Sequence, residues 1–566
     1  METKPNFKRS SPFRSTKMIK TIFSTVIMVA MTLFFNGCKE KAPKGETPEI
    51  FTTTTPKVHV AFAGGGWRAH TGHSAWTISL LDNGSKTLSD VFTNVGTMSS
   101  NSGGSWFSTM LMYSSDFVND IEAKDAVNTW TTTNGWIGKQ RQNFDAAQCS
   151  SEPEGIYLGC VFDYYTNKTI TGGTYWKLMV EKLVFKDYPL TGKTLGDAHQ
   201  PWAVDKPLLL ASTLLTNAVV LNVESNKVNH RYYQACLSPH TPVLKGDTGS
   251  LCSNGIPIDV SPATFSSIPK YSSYLPSPFF PQLGTNTSSS LFNLGYTADY
   301  VFGQAPKFQA TLSLPISSDN VLVETAAAAS SAAGGFGASE HITGFFDISS
   351  TFKEDAVSFS MANSQVQYVA TDGMDFQQLA GQKVVRLADG GAADNSGVAQ
   401  LVRSLQLNQQ ADGFNIVAFD NVSTITTPVK GGANVGIDIA SLFGYSDPLC
   451  INLEVTKYCI TTPDLQIFDS NALYGTTATW TYGTGANQLV YTKYDITTKA
   501  NTALGITGGT KGTLHSFTCA FPTAETAPIV GDTDFVAYND MFKFINTGLN
   551  DKSGVGLKYL QTALGL

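Results

Sequence analysis

Three clusters of small residues, each placed after a short apolar run, constrain the fold of this chain more than any other sequence feature. The apolar runs predict buried strands, and they begin at Val58, Val91 and Lys383. The clusters that follow them are Gly64–Gly66, Ser99–Ser105 and Asp389–Gly391. Segments with helical character come after the clusters, and strands that alternate with helices indicate a parallel α/β sheet.

The other patterned segments fit the same α/β interpretation. We expect helices at Trp67–Leu81, Trp106–Tyr113 and Val398–Leu407, and further strands at Leu208–Leu215 and Phe414–Phe419. The alanine and serine tract Ala326–Ala333 is predicted to be a tightly packed helix. Residues 473–498 alternate aromatic or branched residues with threonine and glycine, which predicts a β-hairpin appendage. Residues 114–200 lack a clean period and are expected to form a loop-rich, cap-like insertion.

The first 37 residues have the features of a secretory signal. A basic start precedes the 15 uncharged residues Thr21–Phe35, and Asn36, Gly37 and Cys38 follow. The apolar run is short for a transmembrane helix, which needs about 20 residues. Cleavage before Cys38 resembles the processing of a bacterial lipoprotein, in which the new N-terminal cysteine is acylated. We therefore expect lipidation at Cys38, a flexible tether over residues 38–56, and an exported protein anchored in the outer membrane of a Gram-negative cell. An uncleaved anchor is the alternative.

Composition and charge exclude several classes of protein. Of the 566 residues, 42% are hydrophobic and 15% are charged, a composition that supports a large buried core and excludes a disordered chain. Loss of residues 1–37 would change the formal net charge from −7 to −12. Because so acidic a chain is a poor electrostatic match for nucleic acid, we expect no nucleic-acid partner.

The eight cysteines fit an exported protein. Apart from Cys38 and Cys519 they form three pairs that are close in sequence: Cys149 with Cys160, Cys236 with Cys252, and Cys450 with Cys459. In an oxidising compartment such pairs predict short-loop disulfides. The alternative is a zinc site, but neither a C-x-x-C pair nor a histidine at ligand spacing accompanies them. We therefore expect no metal and no cofactor.

The three clusters supply the groups that nucleophilic catalysis at a carbonyl carbon requires. Gly65 and Gly66 lack side chains, so their amides can approach a substrate oxygen at a helix N-terminus and stabilise an oxyanion. Ser102 lies between a predicted strand and a predicted helix, as a nucleophile elbow requires, with small residues two positions before and after it. Asp389 can act as a base. The structural alternatives are a simple glycine turn, a serine-rich N-cap and an ordinary Asp-Gly turn.

The order of these motifs resembles that of a known family. The motifs are Ala63–Ala69, Ser102–Trp106 and Ala388–Gly391, with Val384-Val385, Asn395 and the strand Ile416–Asp420. Together they resemble the catalytic core of the cytosolic phospholipase A2 and fungal lysophospholipase (phospholipase B) family, which is related to patatin. The resemblance covers mainly residues 57–115 and 380–420.

The resemblance implies a patatin-like, three-layer α/β fold with a mainly parallel central sheet and one catalytic domain over residues 57–566. It implies a Ser–Asp dyad, with Ser102 as nucleophile and Asp389 as general base, and oxyanion amides from Gly65 and Gly66. Arg68 matches an arginine that family members place near the substrate phosphate, and a structural ion pair is the alternative. The implied activity is hydrolysis of phospholipid or lysophospholipid acyl esters without a cofactor.

Alternatives to this interpretation stay open in the sequence. Acyl transfer to another acceptor would use the same dyad. A Ser–Asp–His triad would use His515, because the histidine follows the aspartate in α/β-hydrolase order. His70 and His73 are expected to be structural. Rival nucleophiles stand close to Ser102: Ser99, Ser100 and Ser105. The non-enzymatic alternative is a surface lipoprotein that binds glycan or lipid through tryptophan and tyrosine.

Overall fold

The computed structural model describes most of residues 58–146, 180–215, 322–331, 384–407, 413–445 and 466–566, with short gaps inside some of these ranges. It also describes isolated strands at 260–267, 291–298, 309–315, 357–360, 367–370, 449–453 and 456–460. The predicted signal segment and tether lie outside the described residues, as do Cys38, Cys149, Cys160, Cys236 and Cys252. In the described part of the chain, no helix has both the length and the apolar character that crossing a membrane requires.

The strands and helices are labelled separately in chain order. The strands are β1 (Val58–Phe62), β2 (Val95–Asn101), β3 (Leu208–Leu215), β4 (Val260–Ser267), β5 (Leu291–Ala298), β6 (Gln309–Pro315), β7 (Val357–Ser360), β8 (Gln367–Ala370), β9 (Val384–Asp389), β10 (Phe414–Val422), β11 (Ile425–Thr426), β12 (Val435–Gly436), β13 (Leu449–Leu453), β14 (Thr456–Ile460), β15 (Trp480–Thr484), β16 (Asn487–Thr497) and β17 (Lys511–Ala520). The helices are α1 (Gly66–Leu80), α2 (Leu88–Val91), α3 (Gly103–Tyr113), α4 (Ser115–Ile121), α5 (Ala126–Thr129), α6 (Trp136–Ala146), α7 (Val323–Ser330), α8 (Gly391–Asp394), α9 (Val398–Leu407), α10 (Ile437–Ser441), α11 (Asn471–Tyr474), α12 (Asp532–Leu549) and α13 (Val555–Ala563).

Thirteen of the described strands form one mixed sheet. Its centre is parallel, in the order β17-β10-β1-β2-β3, and antiparallel strands extend it on both sides. The hairpin predicted within residues 473–498 is formed by β15 and β16, and β16 pairs with β17. The hairpin therefore continues the edge of the central sheet. The predicted α/β class with a mainly parallel centre is confirmed.

Both faces of the central sheet are covered, which makes three layers. Along β10, Val417 and Phe419 join one buried apolar core, whereas Ile416 and Ala418 join a second core. Successive side chains of a strand point to opposite faces, so the two cores lie on opposite sides of the sheet. Helices α1, α3 and α12 contribute to the first core, and α9 and α10 contribute to the second. Burial on both faces explains why these strands read as continuous apolar runs.

Strand β3 brings distant parts of the chain together. Its first half, up to Ala211, pairs with β2 in parallel, and its second half, from Ser212, pairs with β9 in antiparallel orientation. Because β4 occupies the other edge over the full length of β3, β2 and β9 share one edge and run toward each other. Their C-terminal ends, at Asn101 and Asp389, therefore meet.

The predicted strand Val91–Met98 is wrong at its start. Leu88–Val91 forms helix α2, and strand β2 begins only at Val95. The cause is a capping box, in which the Thr87 hydroxyl accepts from the Asp90 backbone N–H and the Asp90 carboxylate accepts from the Thr87 backbone N–H. Such reciprocal bonds satisfy free donors at a helix start and favour a helical turn over a strand.

The described part of residues 114–200 contains more helix than the sequence indicated. Helices α4, α5 and α6 lie between residues 115 and 146. Trp130, Trp136 and Tyr188 are fully buried, and the Trp136 ring stacks on His70 of α1 at 3.9 Å between centroids. Short helices anchored by single aromatic residues leave no long apolar period, which is why the pattern was not visible in the sequence.

Two of the predicted disulfide cysteines lie in described strands. Cys450 and Cys459 face each other in the antiparallel pair β13–β14. Opposed residues in such a pair have Cα atoms about 4.5–5.5 Å apart, within the range of about 4.4–6.8 Å that a disulfide spans. The register is compatible with the predicted pair, which stays a prediction. Cys519 on β17 is a buried free thiol.

Candidate active site

Ser102 occupies a sharp turn between a strand and a helix. Strand β2 ends at Asn101 and helix α3 begins at Gly103. The Ser102 backbone has φ 49° and ψ −123°, a conformation that non-glycine residues rarely adopt. Such a residue costs about 1–3 kcal/mol and is kept only where its surroundings hold it. The local geometry is that of a nucleophile elbow.

The two glycines after Ser102 allow this turn to pack closely against the first glycine cluster. A Cβ added to Gly103 would lie 2.0 Å from the Gly66 carbonyl oxygen. A Cβ added to Gly104 would lie 2.4 Å from the Phe62 carbonyl oxygen. Any side chain at these two positions would push the elbow away from the end of β1. The sequence suggested small residues for the turn itself and did not indicate this contact.

The carboxylate of Asp389 accepts a hydrogen bond from the Ser102 hydroxyl. Ser102 Oγ donates to Asp389 Oδ2 at 2.7 Å, and the Gly391 N–H donates to Asp389 Oδ1 at 2.8 Å. Burial raises the pKa of Asp389 to about 6, although hydrogen bonds from Gly391, Ser102 and Asn101 oppose the increase. A carboxylate with this pKa is mostly ionised at neutral pH and is basic enough to accept a proton.

Gly65 and Gly66 form the start of helix α1 beside the elbow. Their φ angles are 129° and 56°, a region that favours glycine. The first N–H groups of a helix have no partner within that helix. The contact between Gly66 and Gly103 brings the N-termini of α1 and α3 together, so two positive helix-dipole ends meet next to Ser102. Anionic oxygen is favoured at such a position.

Asn395 connects the parts of the site. Its carbonyl accepts from the Gly64 N–H at 2.8 Å, and its Oδ1 accepts from Asn101 Nδ2 at 2.9 Å. Its Nδ2 donates to Asp438 Oδ2 on α10 at 2.7 Å. Since the Asn101 side chain also bonds with Asp389, one network joins the glycine loop, the elbow, the aspartate and α10. Asn395 appeared in the motif comparison, but Asn101 gave no signal beyond its place next to Ser102.

The two histidines on α1 have structural surroundings, as the sequence analysis expected. His73 Nε2 donates to the Ala63 carbonyl oxygen at 2.8 Å, and Asn421 Nδ2 donates to His73 Nδ1 at 3.2 Å. Burial lowers the pKa of His73 to about 4, so the ring is neutral at pH 7. His70 is buried and stacks on Trp136. His73 thus anchors the backbone just before the glycine cluster.

Arg68 lies in a buried charge cluster. Its Nη1 donates to the Ala524 carbonyl oxygen at 3.3 Å, and 5% of the residue is exposed. Burial lowers the pKa of Arg68, and the nearby carboxylates of Asp438 and Asp420 oppose that change. Burial also raises the pKa of Asp420 well above its usual range, with a further contribution from Asp438. The role of Arg68, a contact to the substrate phosphate or a structural ion pair, stays a prediction.

His515 lies on β17 and bonds with a tyrosine. Its Nδ1 is 2.8 Å from the Tyr491 hydroxyl, and the two rings are nearly parallel. Burial lowers the pKa of His515 to about 4. In a Ser–Asp–His triad the imidazole stands between the serine and the aspartate. Here Ser102 bonds directly with Asp389, which favours the dyad over a triad that uses His515.

Two of the rival serines, Ser100 and Ser105, bond with other serine hydroxyl groups. Ser100 Oγ is 2.7 Å from Ser108 Oγ and 3.2 Å from Ser105 Oγ. Ser99 is fully buried within β2. Among these four serines, Ser102 is the one whose hydroxyl bonds with a carboxylate in the described part of the chain.

Comparison with known proteins shows distant structural similarity only. No family model matches the chain, and neither does any curated protein. The solved structure described as human GIVD cytosolic phospholipase A2 is similar, with a TM-score of 0.36 and 11% sequence identity. The match covers 96% of this chain and 66% of the phospholipase chain, so this chain spans about two thirds of the length of the phospholipase. At this distance, a functional assignment depends on the residues of the site.

Proposed function

We propose that the chain is a serine acyl hydrolase that cleaves carboxylic esters of phospholipids or lysophospholipids. The observation that carries the proposal is the 2.7 Å hydrogen bond from Ser102 Oγ, on its strained turn, to the buried carboxylate of Asp389. A serine with an adjacent base is an activated nucleophile. The motif resemblance supplies the lipid substrate class.

In the first half-reaction, Ser102 Oγ attacks the ester carbonyl carbon while its proton passes to Asp389 Oδ2. The new O–C bond makes a tetrahedral intermediate, and its negative oxygen is stabilised by the amides of Gly65 and Gly66. Loss of one such donor typically costs about 3 kcal/mol. When the intermediate collapses, the bond to the alcohol oxygen breaks and the proton moves from Asp389 to that oxygen. An acyl-enzyme is left on Ser102.

In the second half-reaction, a water molecule attacks the acyl-enzyme. Asp389 takes one proton from the water as the new C–O bond forms, and the same amides stabilise the second tetrahedral intermediate. Collapse then breaks the bond to Ser102 Oγ and returns the proton to it. The products are a free fatty acid and the starting enzyme. The covalent intermediate divides one difficult hydrolysis into two easier steps.

Burial of the tryptophans disfavours the non-enzymatic alternative. Five of the eight tryptophans are fully buried in apolar cores, namely Trp67, Trp76, Trp106, Trp130 and Trp136. A glycan-binding or lipid-binding surface would require aromatic side chains exposed to the ligand. These five side chains pack inside the protein instead.

The proposal includes attachment to a membrane. Cleavage before Cys38 and acylation of that residue would anchor the exported chain in the outer membrane of a Gram-negative cell. The tether over residues 38–56 would then hold the catalytic domain close to its lipid substrates. Each CH₂ group of a covalently attached acyl chain that enters the bilayer contributes about 0.8 kcal/mol to membrane binding.

The test is hydrolysis of a p-nitrophenyl acyl ester and of a lysophospholipid by the purified chain. We expect Ser102→Ala and Asp389→Asn each to lower kcat at least about a thousandfold, since the nucleophile or its base is lost. Matched controls are Ser115→Ala and Asp116→Asn, which change the same residue types at exposed positions on α4. The controls should keep full activity.

Full turnover by either Ser102→Ala or Asp389→Asn would overturn the dyad. Addition of a competing alcohol separates hydrolysis from acyl transfer. Free fatty acid as the main product supports the hydrolase, whereas preferential formation of a new ester would replace it with the acyltransferase alternative. Loss of activity in both His515→Ala and Asp389→Asn would favour the triad, because the dyad has no place for His515.

A further inference from the structure

Helix α7, formed by most of the predicted alanine and serine tract, ends at the candidate active site. Its residues Ala326–Ser330 are fully buried, and the helix contacts α3, β3 and β9. The small side chains let its last turn come close to the elbow and to the aspartate loop. Ser330 is the last residue of α7, and the carbonyl groups of a final helical turn lack partners within their own helix. The Ser330 carbonyl is therefore available for other donors.

The Ser330 backbone joins the two halves of the dyad. Its carbonyl oxygen accepts from the Ser102 N–H at 3.2 Å and from the Gly390 N–H at 3.2 Å. Ser102 is the nucleophile of the proposed reaction, and Gly390 follows the base Asp389. One carbonyl oxygen thus holds residues that are far apart in sequence.

The Ser330 side chain makes further hydrogen bonds to the elbow. Its Oγ accepts from the Ser102 N–H at 3.1 Å and lies 2.7 Å from Ser105 Oγ, one turn into α3. The Ser102 N–H is therefore shared between the carbonyl and the hydroxyl of one residue. A non-glycine residue at φ 49° needs such external support to keep its conformation.

We propose that Ser330 is a positioning residue, which fixes the Ser102 backbone and the Asp389 loop at the separation that proton transfer requires. The proposal rests on the proposed function, because it assigns Ser330 a role within that dyad. Ser330 touches neither the ester nor the transferred proton and acts through the backbones of Ser102 and Gly390. The Ser102 N–H, which Ser330 occupies, is not an oxyanion donor.

The test measures the rate at which a fluorophosphonate probe labels the full chain, as a function of probe concentration. Ser330→Ala removes the hydroxyl and loosens the elbow, so we expect the maximal labelling rate to fall about tenfold. The half-saturating probe concentration should stay within about twofold, because no probe contact is lost. Ser330→Thr keeps the hydroxyl and should restore most of the rate.

Ser331→Ala is the matched control. Ser331 is the next residue, and its hydroxyl accepts from Trp106 Nε1 at 2.8 Å, so the variant also removes a buried hydroxyl contact. It should keep the native labelling rate even if its thermal unfolding midpoint falls as much as that of Ser330→Ala. A native rate in Ser330→Ala, or equal losses in the two variants, would overturn the positioning role. Failure of the unmodified chain to be labelled would instead overturn the proposed function itself.

Discussion

Asp389 combines two properties that a general base needs, because it is fully buried and bonds directly with the nucleophile. Burial favours its neutral form and raises its pKa to about 6. The carboxylate accepts the Ser102 proton only when it is ionised. At neutral pH most molecules would therefore hold an ionised base that is more basic than an exposed aspartate.

This pKa predicts the pH dependence of hydrolysis. Below about pH 6 Asp389 is protonated and cannot act as a base, so kcat/KM should rise with pH and reach half of its plateau at about pH 6. A histidine base would give a lower midpoint. His73 on α1, for example, has a pKa that burial lowers to about 4. A pH profile of p-nitrophenyl ester hydrolysis distinguishes a midpoint near pH 6 from one near pH 4. A midpoint near pH 4 would contradict the assignment.

The sequence was informative about residues whose own chemistry is distinctive. Ser102, Asp389, Gly65 and Gly66 stand in recognisable motifs, and the structure brings them together. Ser330 could not be found in this way, because it acts through a backbone carbonyl, a group that every residue has, and through a hydroxyl that no motif marks. Arg68 shows the opposite difficulty: its place in a motif does not reveal that two buried carboxylates lie nearby.

At the scale of elements, the site depends on the meeting of β2 and β9 on one edge of β3. The strand Leu208–Leu215 and the helix Val398–Leu407 were predicted to the residue, since each is a clear apolar pattern. The antiparallel direction of β9 was not predictable, because strand orientation depends on how the long intervening chain crosses the sheet. The start of β2 was misplaced because a local capping box at Thr87 overrides the apolar character of Val91.

The connection through Asn395 gives a prediction at this scale. Asn395→Ala would leave Asn101 Nδ2 and the Asp438 carboxylate each without one buried partner, a loss of about 1–3 kcal/mol in the free energy of unfolding. Asn395→Asp should be less stable still at pH 7, because it places a second carboxylate against Asp438. Urea unfolding measures both, with the exposed Asn471→Ala on α11 as control. Native stability in Asn395→Ala would contradict the role of this network.

At the scale of the whole molecule, the chain is a three-layer α/β structure whose central sheet is buried on both faces. The continuous apolar runs predicted this class because each layer must bury the strands beneath it. The extent of the sheet, with thirteen described strands, was not predicted. Many of the added strands pair in antiparallel orientation and carry no helix-strand alternation that the sequence could reveal.

The cysteine assignments give a prediction for the chain if it is exported as proposed. If Cys38 is acylated and the three predicted disulfides form, the denatured and unreduced chain should contain one free thiol, that of Cys519. Maleimide labelling with intact-mass measurement counts the thiols. The thiol should react only after unfolding, because Cys519 is fully buried. Two free thiols would contradict the acylation, and three or more would contradict the disulfide framework.

In the proposed dyad, residues 287 positions apart form one nucleophile and its base. The most direct measurement is fluorophosphonate labelling followed by peptide mass spectrometry. The Ser102 oxygen displaces fluoride from phosphorus, and its proton passes to Asp389. We expect one phosphonylated serine, Ser102, and at least about a hundredfold slower labelling in Asp389→Asn. Labelling of another serine, or an unchanged rate in Asp389→Asn, would show that Ser102 and Asp389 do not form a catalytic dyad.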